Sequence, residues 1–470
     1  TTVTHRRFAL GLLALPLLSA AVSLDAPLSG GATTVEIPRA QLNDRGAFSF
    51  PAPNLSMTRR GDHFMGNSFF QNPWVTAPAS TQSRDGLGPL FNTMSCQSCH
   101  VRDGRGRPPK DDEEMLSMLV RISVPSDGSK EQEAYRARYG VVPEPVYGDQ
   151  IQNNAILDLA SEARVRTEWR EVEGTYADGT VYVLREPVYH LDDPGYGELP
   201  ADLQMSGRVA PPMIGIGLLD TVAVETLAAI ADPDDADGDG ISGRFNQVWN
   251  VAEGQLTPGR FGWKCEQPSA RQQVASAFAG DIGISSSVFP GGSLTTAQSE
   301  VVSAPAGGDP EVSDEILDLV TFYSKTLAVP ARRGHDSAFI REGEQLFREA
   351  RCAACHVETL ATGDDPAFPE LSGQTIHAYT DLLLHDMGEG LADGRPVFDA
   401  SGSEWRTPPL WGLGLLFNVN RHTDLLHDGR ARTFEEAILW HGGEAEVSRQ
   451  AFLGYDSEQR RRLVAFLKSL

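Results

Sequence analysis

Two short stretches with the same pattern constrain this chain more than any other feature. Residues 96–100 read CQSCH and residues 352–356 read CAACH, and C-x-x-C-H is the attachment motif of c-type haem. The two thiols add to the porphyrin vinyl groups, and the adjacent histidine reaches the iron as an axial ligand. The motifs use four of the five cysteines, and neither pairs with another C-x-x-C at the spacing of a zinc ribbon. We therefore expect two covalent c-type haems, held by Cys96, Cys99, His100, Cys352, Cys355 and His356.

Length and charge limit the classes of function. A chain of 470 residues is long enough for two or three domains. Its formal net charge of −24 argues against binding nucleic acid, which requires clustered lysine and arginine. An acidic surface is also able to steer a basic redox partner toward the protein.

The beginning of the chain has the pattern of a secretory signal. A short basic segment at residues 5–7 precedes an apolar stretch at 8–22, which is too short to span a membrane. We expect a signal peptide over residues 1–23. Because c-type haem is attached outside the cytoplasm, we place the mature protein in a bacterial periplasm and not in the membrane. The remaining cysteine, Cys265, is expected to be a buried thiol.

With one attachment motif in each half, the chain is expected to adopt a mainly α fold with two cytochrome c-like haem domains. The first domain is expected over residues 46–330 and is enlarged by an insertion with some β-structure, including a hairpin within 163–191. The second is expected over residues 335–470. Amphipathic stretches at 339–347 and 457–470 predict the helices that frame its haem.

The C-terminal part resembles a known family. Residues 405–412 (WRTPPLWG) and 427–441 (HDGRARTFEEAILWH) resemble the C-terminal domain of bacterial di-haem cytochrome c peroxidases and MauG-type enzymes. Nearly the whole chain after residue 45 is similar to the di-haem oxidoreductase branch, often called thiol-oxidoreductase-like. The further stretches that carry this similarity are residues 85–92, 262–264, 280–283 and 384–391.

The resemblance implies different ligation of the two irons. His441 falls where the relatives carry the distal methionine of the electron-transfer haem, which implies a His356/His441 pair with a lowered potential. Met387, with His385 behind it, is the alternative ligand. His427 is expected to form hydrogen bonds rather than to bind iron.

The first haem has no evident second ligand. No histidine occurs between His100 and His190, the region in which the usual peroxidase keeps a displaceable one. His63 and Met65 lie upstream, and each is expected to have a structural role. An open or weakly ligated iron follows, where a small substrate could bind.

The resemblance also implies an acid–base pair. The family pattern places a glutamate ten residues after a glutamine, and this chain has Gln152 and Glu162 at that spacing, without the intervening proline. A carboxylate close to haem can move a proton between peroxide oxygens. The tryptophan that relatives place between the haems would fall at Val142, which leaves Tyr139 or Tyr147 as substitutes in the electron route.

An acidic loop suggests a cation. Residues 232–242 read DPDDADGDGIS, and Asp235, Asp237 and Asp239 reproduce the first half of an EF-hand loop. Asn246 occupies the position of the bidentate glutamate, so we expect a calcium site of modest affinity. An exposed acidic turn is the alternative.

These observations predict a periplasmic di-haem oxidoreductase of the cytochrome c peroxidase type. A small cytochrome c or cupredoxin would supply electrons through the second haem, and hydrogen peroxide or another small substrate would react at the first. An enzyme that oxidises an organic, protein or sulfur (thiol) substrate is the alternative with reversed electron flow. A purely electron-transferring cytochrome is the alternative without catalysis.

Overall fold

A computed structural model describes residues 28–37, 45–110, 113–292, 294–298 and 305–470. The expected signal peptide, residues 1–23, lies outside this part of the chain. The α-helices of the described residues are α1 (Met57–Gln71), α2 (Cys96–Cys99), α3 (Lys130–Tyr139), α4 (Ile216–Thr221), α5 (Val224–Ala228), α6 (Ala270–Ala277), α7 (Asp314–Lys325), α8 (Ala338–Glu349), α9 (Leu416–Asn420), α10 (Phe434–Leu439), α11 (Glu446–Gly454) and α12 (Ser457–Ser469). The strands are β1 (Thr34–Val35), β2 (Leu90–Phe91), β3 (Met118–Ser123), β4 (Asn154–Ala155), β5 (Arg164–Thr175), β6 (Val181–Asp192), β7 (Gln204–Val209), β8 (Gln247–Asn250), β9 (Gln255–Pro258), β10 (Val329–Pro330), β11 (Leu360–Ala361), β12 (Thr375–Ile376), β13 (Leu384–Asp386) and β14 (Glu404–Arg406).

The strands of the described residues pair two by two and build no large sheet. The longest pair is the antiparallel hairpin β5–β6, which confirms the hairpin expected within 163–191. Helices make up 31% and strands 19% of the structure, so a mainly α fold with two haem domains is not confirmed. Strand pairs also occur after residue 335, where β11 pairs with β12 and β13 with β14, and are therefore not confined to the insertion.

The two amphipathic helices that the sequence predicts, α8 and α12, cross each other, and α8 ends three residues before the second motif. Helix α12 begins with a capping box, in which Asp456 accepts from the amide of Gln459 at 2.8 Å. It packs on α8 through Phe466, whose ring centroid lies 5.1 Å from that of Phe347. Gly343 permits this close approach, because a Cβ there would lie 2.0 Å from the carbonyl oxygen of Arg462.

The same kind of helix crossing occurs in the first half, where α1 precedes the first motif in the chain. Helix α1 packs on α7, and a Cβ at Gly66 would lie 2.0 Å from the carbonyl oxygen of Leu319. Four residues after that glycine, the ring of Phe70 lies 5.0 Å from that of Tyr323, just as Phe347 follows Gly343 by four residues. The two crossings therefore share one local geometry. The domain boundaries at 46–330 and 335–470 stay predictions.

None of the helices in the described ranges combines the length and the apolar character needed to cross a membrane.

Candidate functional site

Both C-x-x-C-H motifs line one continuous cavity. Its wall includes Cys96, Cys99 and His100 from the first motif and Cys352, Cys355 and His356 from the second. An aromatic ring from the crossing helices lies near each motif histidine: the centroid of Phe70 is 6.2 Å from His100, and that of Phe347 is 6.2 Å from His356. The fold thus brings two motifs that are distant in sequence to the wall of one cavity.

The two motif histidines are held in the tautomer that a metal ligand requires. Nδ1 of His100 lies 2.8 Å from the carbonyl oxygen of Pro211, and Nδ1 of His356 lies 3.0 Å from that of Tyr379. Because a carbonyl only accepts, each Nδ1 carries the proton and each Nε2 keeps its lone pair. Burial lowers the pKa of both imidazoles to about 4, so both are neutral at pH 7.

His441 lines the cavity on the side of the second motif. It follows α10, and its Nδ1 lies 2.7 Å from the carbonyl oxygen of Ala437, which leaves its Nε2 free as well. Burial lowers its pKa. The ring is near enough to His356 for its charge to lower the pKa of that imidazole. His356 and His441 therefore both line the cavity with Nε2 unprotonated, and their pairing at one iron stays a prediction.

Met387 also lines the cavity in this half, as the competing ligand requires. His385 has both ring nitrogens engaged: Nε2 lies 2.8 Å from Asp381 and Nδ1 lies 2.7 Å from Glu444. Burial alone would lower the pKa of His385, but hydrogen bonds to Asp381, Cys355 and Glu444 raise it to about 12. His385 is therefore a buried cation beside the second motif and has no nitrogen left for a metal.

The chemistry of the cavity wall fits haem. All five cysteines are free thiols, so the two thiols of each motif are available for attachment. Burial raises the pKa of Cys96 to about 12. The indole nitrogen of Trp411, another lining residue, is buried without a hydrogen-bond partner among the described residues, as expected of a donor that awaits a cofactor. Cys265 lies apart, is 1% exposed and is a buried thiol as predicted.

The upstream candidates for the first iron lie elsewhere. His63 is 1% exposed and places Nδ1 2.8 Å from the hydroxyl of Thr326, whereas Met65 is half-exposed on α1. Neither lines the cavity, which agrees with the structural role expected of both. In the described part of the cavity wall, no histidine apart from His100 comes from the elements around the first motif.

Gln152 and Glu162 contact each other, but neither lines the cavity. The backbone amide of Gln152 donates to one carboxylate oxygen of Glu162 at 2.6 Å, and Gln298 donates to the other at 2.6 Å. Burial raises the pKa of Glu162 to about 8, although the hydrogen bonds from Gln152 and Gln298 lower it. The predicted spacing thus corresponds to a buried structural contact, and this placement lends the catalytic prediction no support.

The aromatic residues of the cavity wall differ from those expected. Val142, Tyr139 and Tyr147 do not line the cavity, whereas Trp263 and Trp405 do. The indole nitrogen of Trp263 donates to the carbonyl of Val209, and that of Trp405 to Leu391. Trp263 lies in the stretch 262–264 and Trp405 in 405–412, so the resemblance contained a signal for both.

The acidic loop folds beside the second motif. Carboxylate oxygens of Asp232, Asp235 and Asp237 lie within 4.8 Å of one another. Asp239 instead forms an ion pair with Arg351, the residue before Cys352. Asp232 thus takes the place expected for Asp239 in the carboxylate cluster.

Asn246 is engaged elsewhere. Its amide nitrogen donates to the carbonyls of Lys264 and Val397, and its oxygen accepts from the amide of Asp399 at 2.9 Å. Calcium at this loop stays a prediction.

Comparison with known proteins defines the class. A family model described as "Di-haem oxidoreductase, putative peroxidase" matches residues 23–470. The chain belongs to this di-haem oxidoreductase family, which confirms the resemblance and implies haem cofactors. No curated protein sequence matches the chain.

A chain of the hydrazine synthase of Kuenenia stuttgartiensis is similar in structure at 13% identity, with a TM-score of 0.32 over 97% of this chain and 100% of that chain. Its chemistry is not transferred to the present chain.

Proposed function

We propose that this protein is a periplasmic di-haem c-type oxidoreductase that reduces hydrogen peroxide at the first haem with electrons that pass through the second. The observation that carries the proposal is the single cavity that both motifs line, with an additional free imidazole, His441, in the second half. Saturated ligation suits electron transfer, and an open position suits catalysis.

Two covalent haems would be held by the four motif cysteines, with His100 and His356 as axial ligands and His441 as the second ligand in the C-terminal domain. The haems supply one-electron redox chemistry when bound. The protein orients the ligands: the carbonyls of Pro211 and Tyr379 fix the two motif imidazoles as Nε2 donors. Trp263 and Trp405 provide aromatic surface in the cavity between the motifs.

A small redox protein, cytochrome c or cupredoxin, is proposed as the electron donor. The formal net charge of −24 favours a partner with a basic face, and such steering weakens as salt increases. Reduction of hydrogen peroxide to two water molecules consumes two electrons and two protons. The donor therefore delivers two electrons per turnover.

The test uses the holoprotein. Low-temperature EPR of the fully oxidised and the one-electron-reduced protein is combined with peroxide reduction by a reduced small cytochrome. We expect one low-spin signal and one high-spin signal, and peroxide removes the high-spin signal. His441→Ala should abolish the low-spin signal of the second haem, whereas His441→Met should keep it low-spin at a higher potential.

Other outcomes identify the alternatives. Two low-spin signals in every redox state, unaffected by peroxide, would show an electron carrier. A long-lived oxidised product after peroxide, with slow turnover of the donor cytochrome and fast oxidation of an added thiol or organic substrate, would show the reverse direction of electron flow. Either result would overturn the peroxidase proposal.

A further inference from the structure

Each half of the cavity wall contains one copy of a repeated sequence segment, and the two copies can be aligned. Residues 211–219 read PPMIGIGLL and residues 408–416 read PPLWGLGLL, with six of nine positions identical. Both segments contribute to the cavity wall, and both place a glycine in the left-handed region, Gly215 at φ 72° and Gly412 at φ 76°. These two segments can therefore be aligned residue by residue at the cavity wall, which adds to the equivalence of the two helix crossings.

The helix that carries His441 has a counterpart in the first half. An isolated bridge between Leu425 and Ala431 precedes α10, and a bridge between Phe261 and Gln267 precedes α6. In each half the residue that caps the helix, Thr433 or Ser269, follows the first bridge residue by eight positions.

The caps themselves are equivalent. The hydroxyl of Thr433 accepts from the amide of Glu436, and that of Ser269 from the amide of Gln272, each at 3.2 Å. The two helices thus begin in the same way, each with its cap eight residues after the first residue of a bridge.

This alignment assigns a counterpart to the imidazole. His441 lies eight residues after its cap Thr433, and Ala277 lies eight residues after its cap Ser269. Both residues line the cavity.

The helix of Ala277 packs with the first motif, because Ala275 shares a cluster with Cys96, whereas His441 is near His356. The first half therefore has a methyl group where the second half has an imidazole, which is the physical basis for unequal ligation.

Two polar residues flank Ala277 at intervals of four. Gln273 lies in α6, and Asp281 lies in the π-helical turn Phe278–Ile282 that continues it. Both line the cavity, so the three residues follow one side of this continuous helix. The side-chain oxygen of Gln273 is buried and has no hydrogen-bond partner among the described residues.

Asp281 differs from the other carboxylates of the cavity. Glu266 is ion-paired with Arg208, and Glu444 with His385. Among the described residues, Asp281 has no cation within 4.0 Å.

The nearest partner of Asp281 is an amide. The side-chain nitrogen of Gln150 donates to the carboxylate at 3.0 Å. Burial and the charge of Asp149 raise the pKa of Asp281, while the charge of Arg121 and the hydrogen bond from Gln150 oppose that shift. Among the described residues no paired cation holds this carboxylate in its ionised form, so it is able to exchange a proton.

We propose that Gln273, Ala277 and Asp281 form the substrate side of the first haem site. The inference rests on the proposed function and names the residues of its open position. The small side chain of Ala277 leaves space for a diatomic or peroxide-sized ligand with hydrogen-bonding atoms. The free amide oxygen of Gln273 orients that ligand by accepting a hydrogen bond from it.

Asp281 is the acid–base residue in this arrangement. Its carboxylate accepts the proton from one oxygen of hydrogen peroxide and returns it to the other as the O–O bond breaks. The small redox protein supplies the two electrons, two further protons come from solvent, and two water molecules are formed.

The first test restores the missing imidazole. Ala277→His in the holoprotein is expected to convert the high-spin first haem to a low-spin state and to weaken azide binding at least tenfold. Ala277→Gln fills the same space without an imidazole, and it should keep the haem high-spin. The unchanged low-spin signal of the second haem shows that both variants are folded. A high-spin signal that persists in Ala277→His, with azide binding unaltered, would overturn the inference.

The second test concerns Asp281. In the parent protein the azide dissociation constant is expected to vary with pH as Asp281 titrates, and Asp281→Asn should remove that variation and lower peroxide turnover about 100-fold. Asp318→Asn is the control, because Asp318 is an exposed carboxylate that pairs with Arg271 of the same helix α6 at 2.7 Å and lies outside the cavity wall. It should leave the high-spin signal and turnover unchanged.

The outcomes separate this inference from the proposed function. A protein that does not turn over peroxide but becomes low-spin in Ala277→His refutes the peroxidase activity and keeps the ligand-position assignment. A protein that turns over peroxide and loses activity in Glu162→Gln rather than in Asp281→Asn refutes the assignment of Asp281 alone.

Discussion

The two halves of the cavity share their scaffold and differ at an aligned position of the cavity wall. The helix crossing uses a glycine and, four residues later, a phenylalanine in both halves, Gly66 with Phe70 and Gly343 with Phe347. The wall of the second half contributes His441, whereas the first contributes Ala277 at the aligned position. The comparison shows that packing constraints keep the framework alike, while single side chains on that framework change the chemistry.

The largest expected effect comes from removing either pair of thiols. Cys96→Ala with Cys99→Ala should leave only the second haem attached, with its low-spin signal intact. Cys352→Ala with Cys355→Ala should leave only the first haem and remove that low-spin signal. The pyridine haemochrome assay and intact-protein mass give the haem content per chain. Retention of both haems in either variant would contradict covalent attachment at that motif.

The helix crossings predict a matched loss of stability. Gly66→Ala and Gly343→Ala each force a methyl group against a backbone carbonyl that lies 2.0 Å away, so each should lower the free energy of unfolding by about 2 kcal/mol. Urea unfolding measures both. Gly61→Ala in the same helix α1 is the control, because nothing lies within 4 Å of its Cβ, and it should stabilise the protein by about 0.5 kcal/mol. Equal effects of the two α1 substitutions would contradict the shared crossing.

A pH dependence distinguishes the second half. The pKa of His385 is about 12 in the folded protein, above its unfolded value of 6.5. Its stabilising contribution is therefore fully present below pH 6.5 and is lost as the pH rises toward 12. The free energy of unfolding should fall by up to about 1.4 kcal/mol per pH unit above pH 6.5.

His385→Asn should reduce that slope, as measured by urea unfolding at pH 6.5, 7.5 and 8.5. His427→Asn is the control, because it replaces a buried ring that is neutral. It should leave the slope of the unfolding free energy against pH unchanged. Identical slopes in the parent protein and His385→Asn would show that His385 is not charged between Asp381 and Glu444.

The smallest effect is expected at the acidic loop, which contacts the second motif through Asp239 and Arg351. Calcium at roughly five times its dissociation constant should raise the free energy of unfolding by about 1 kcal/mol, and chelation should reverse the change. Asp237→Asn should weaken the response, whereas the exposed Asp234→Asn should not. A spectral change at the first haem rather than the second on chelation would contradict this placement.

Local patterns in the sequence predicted the helices and the hairpin well. The amphipathic stretch 339–347 lies within α8, and 457–470 corresponds to α12. These predictions succeeded because apolar periodicity, caps and turn residues act over a few neighbouring positions. The expectation for Gln152 and Glu162 lacked such support, since a spacing of ten residues in irregular structure does not specify which way the side chains point.

The sequence by itself determined the two attachment motifs, because a thiol pair and its histidine lie within five consecutive residues and need no distant partner. It also contained the repeated segments 211–219 and 408–416, although their meaning depends on the cavity they line. Only the tertiary structure decided which residues join each motif histidine in the cavity wall. His441 lies 85 residues after His356, and Ala277 lies 177 residues after His100, so chain folding and not local pattern brings each to its site.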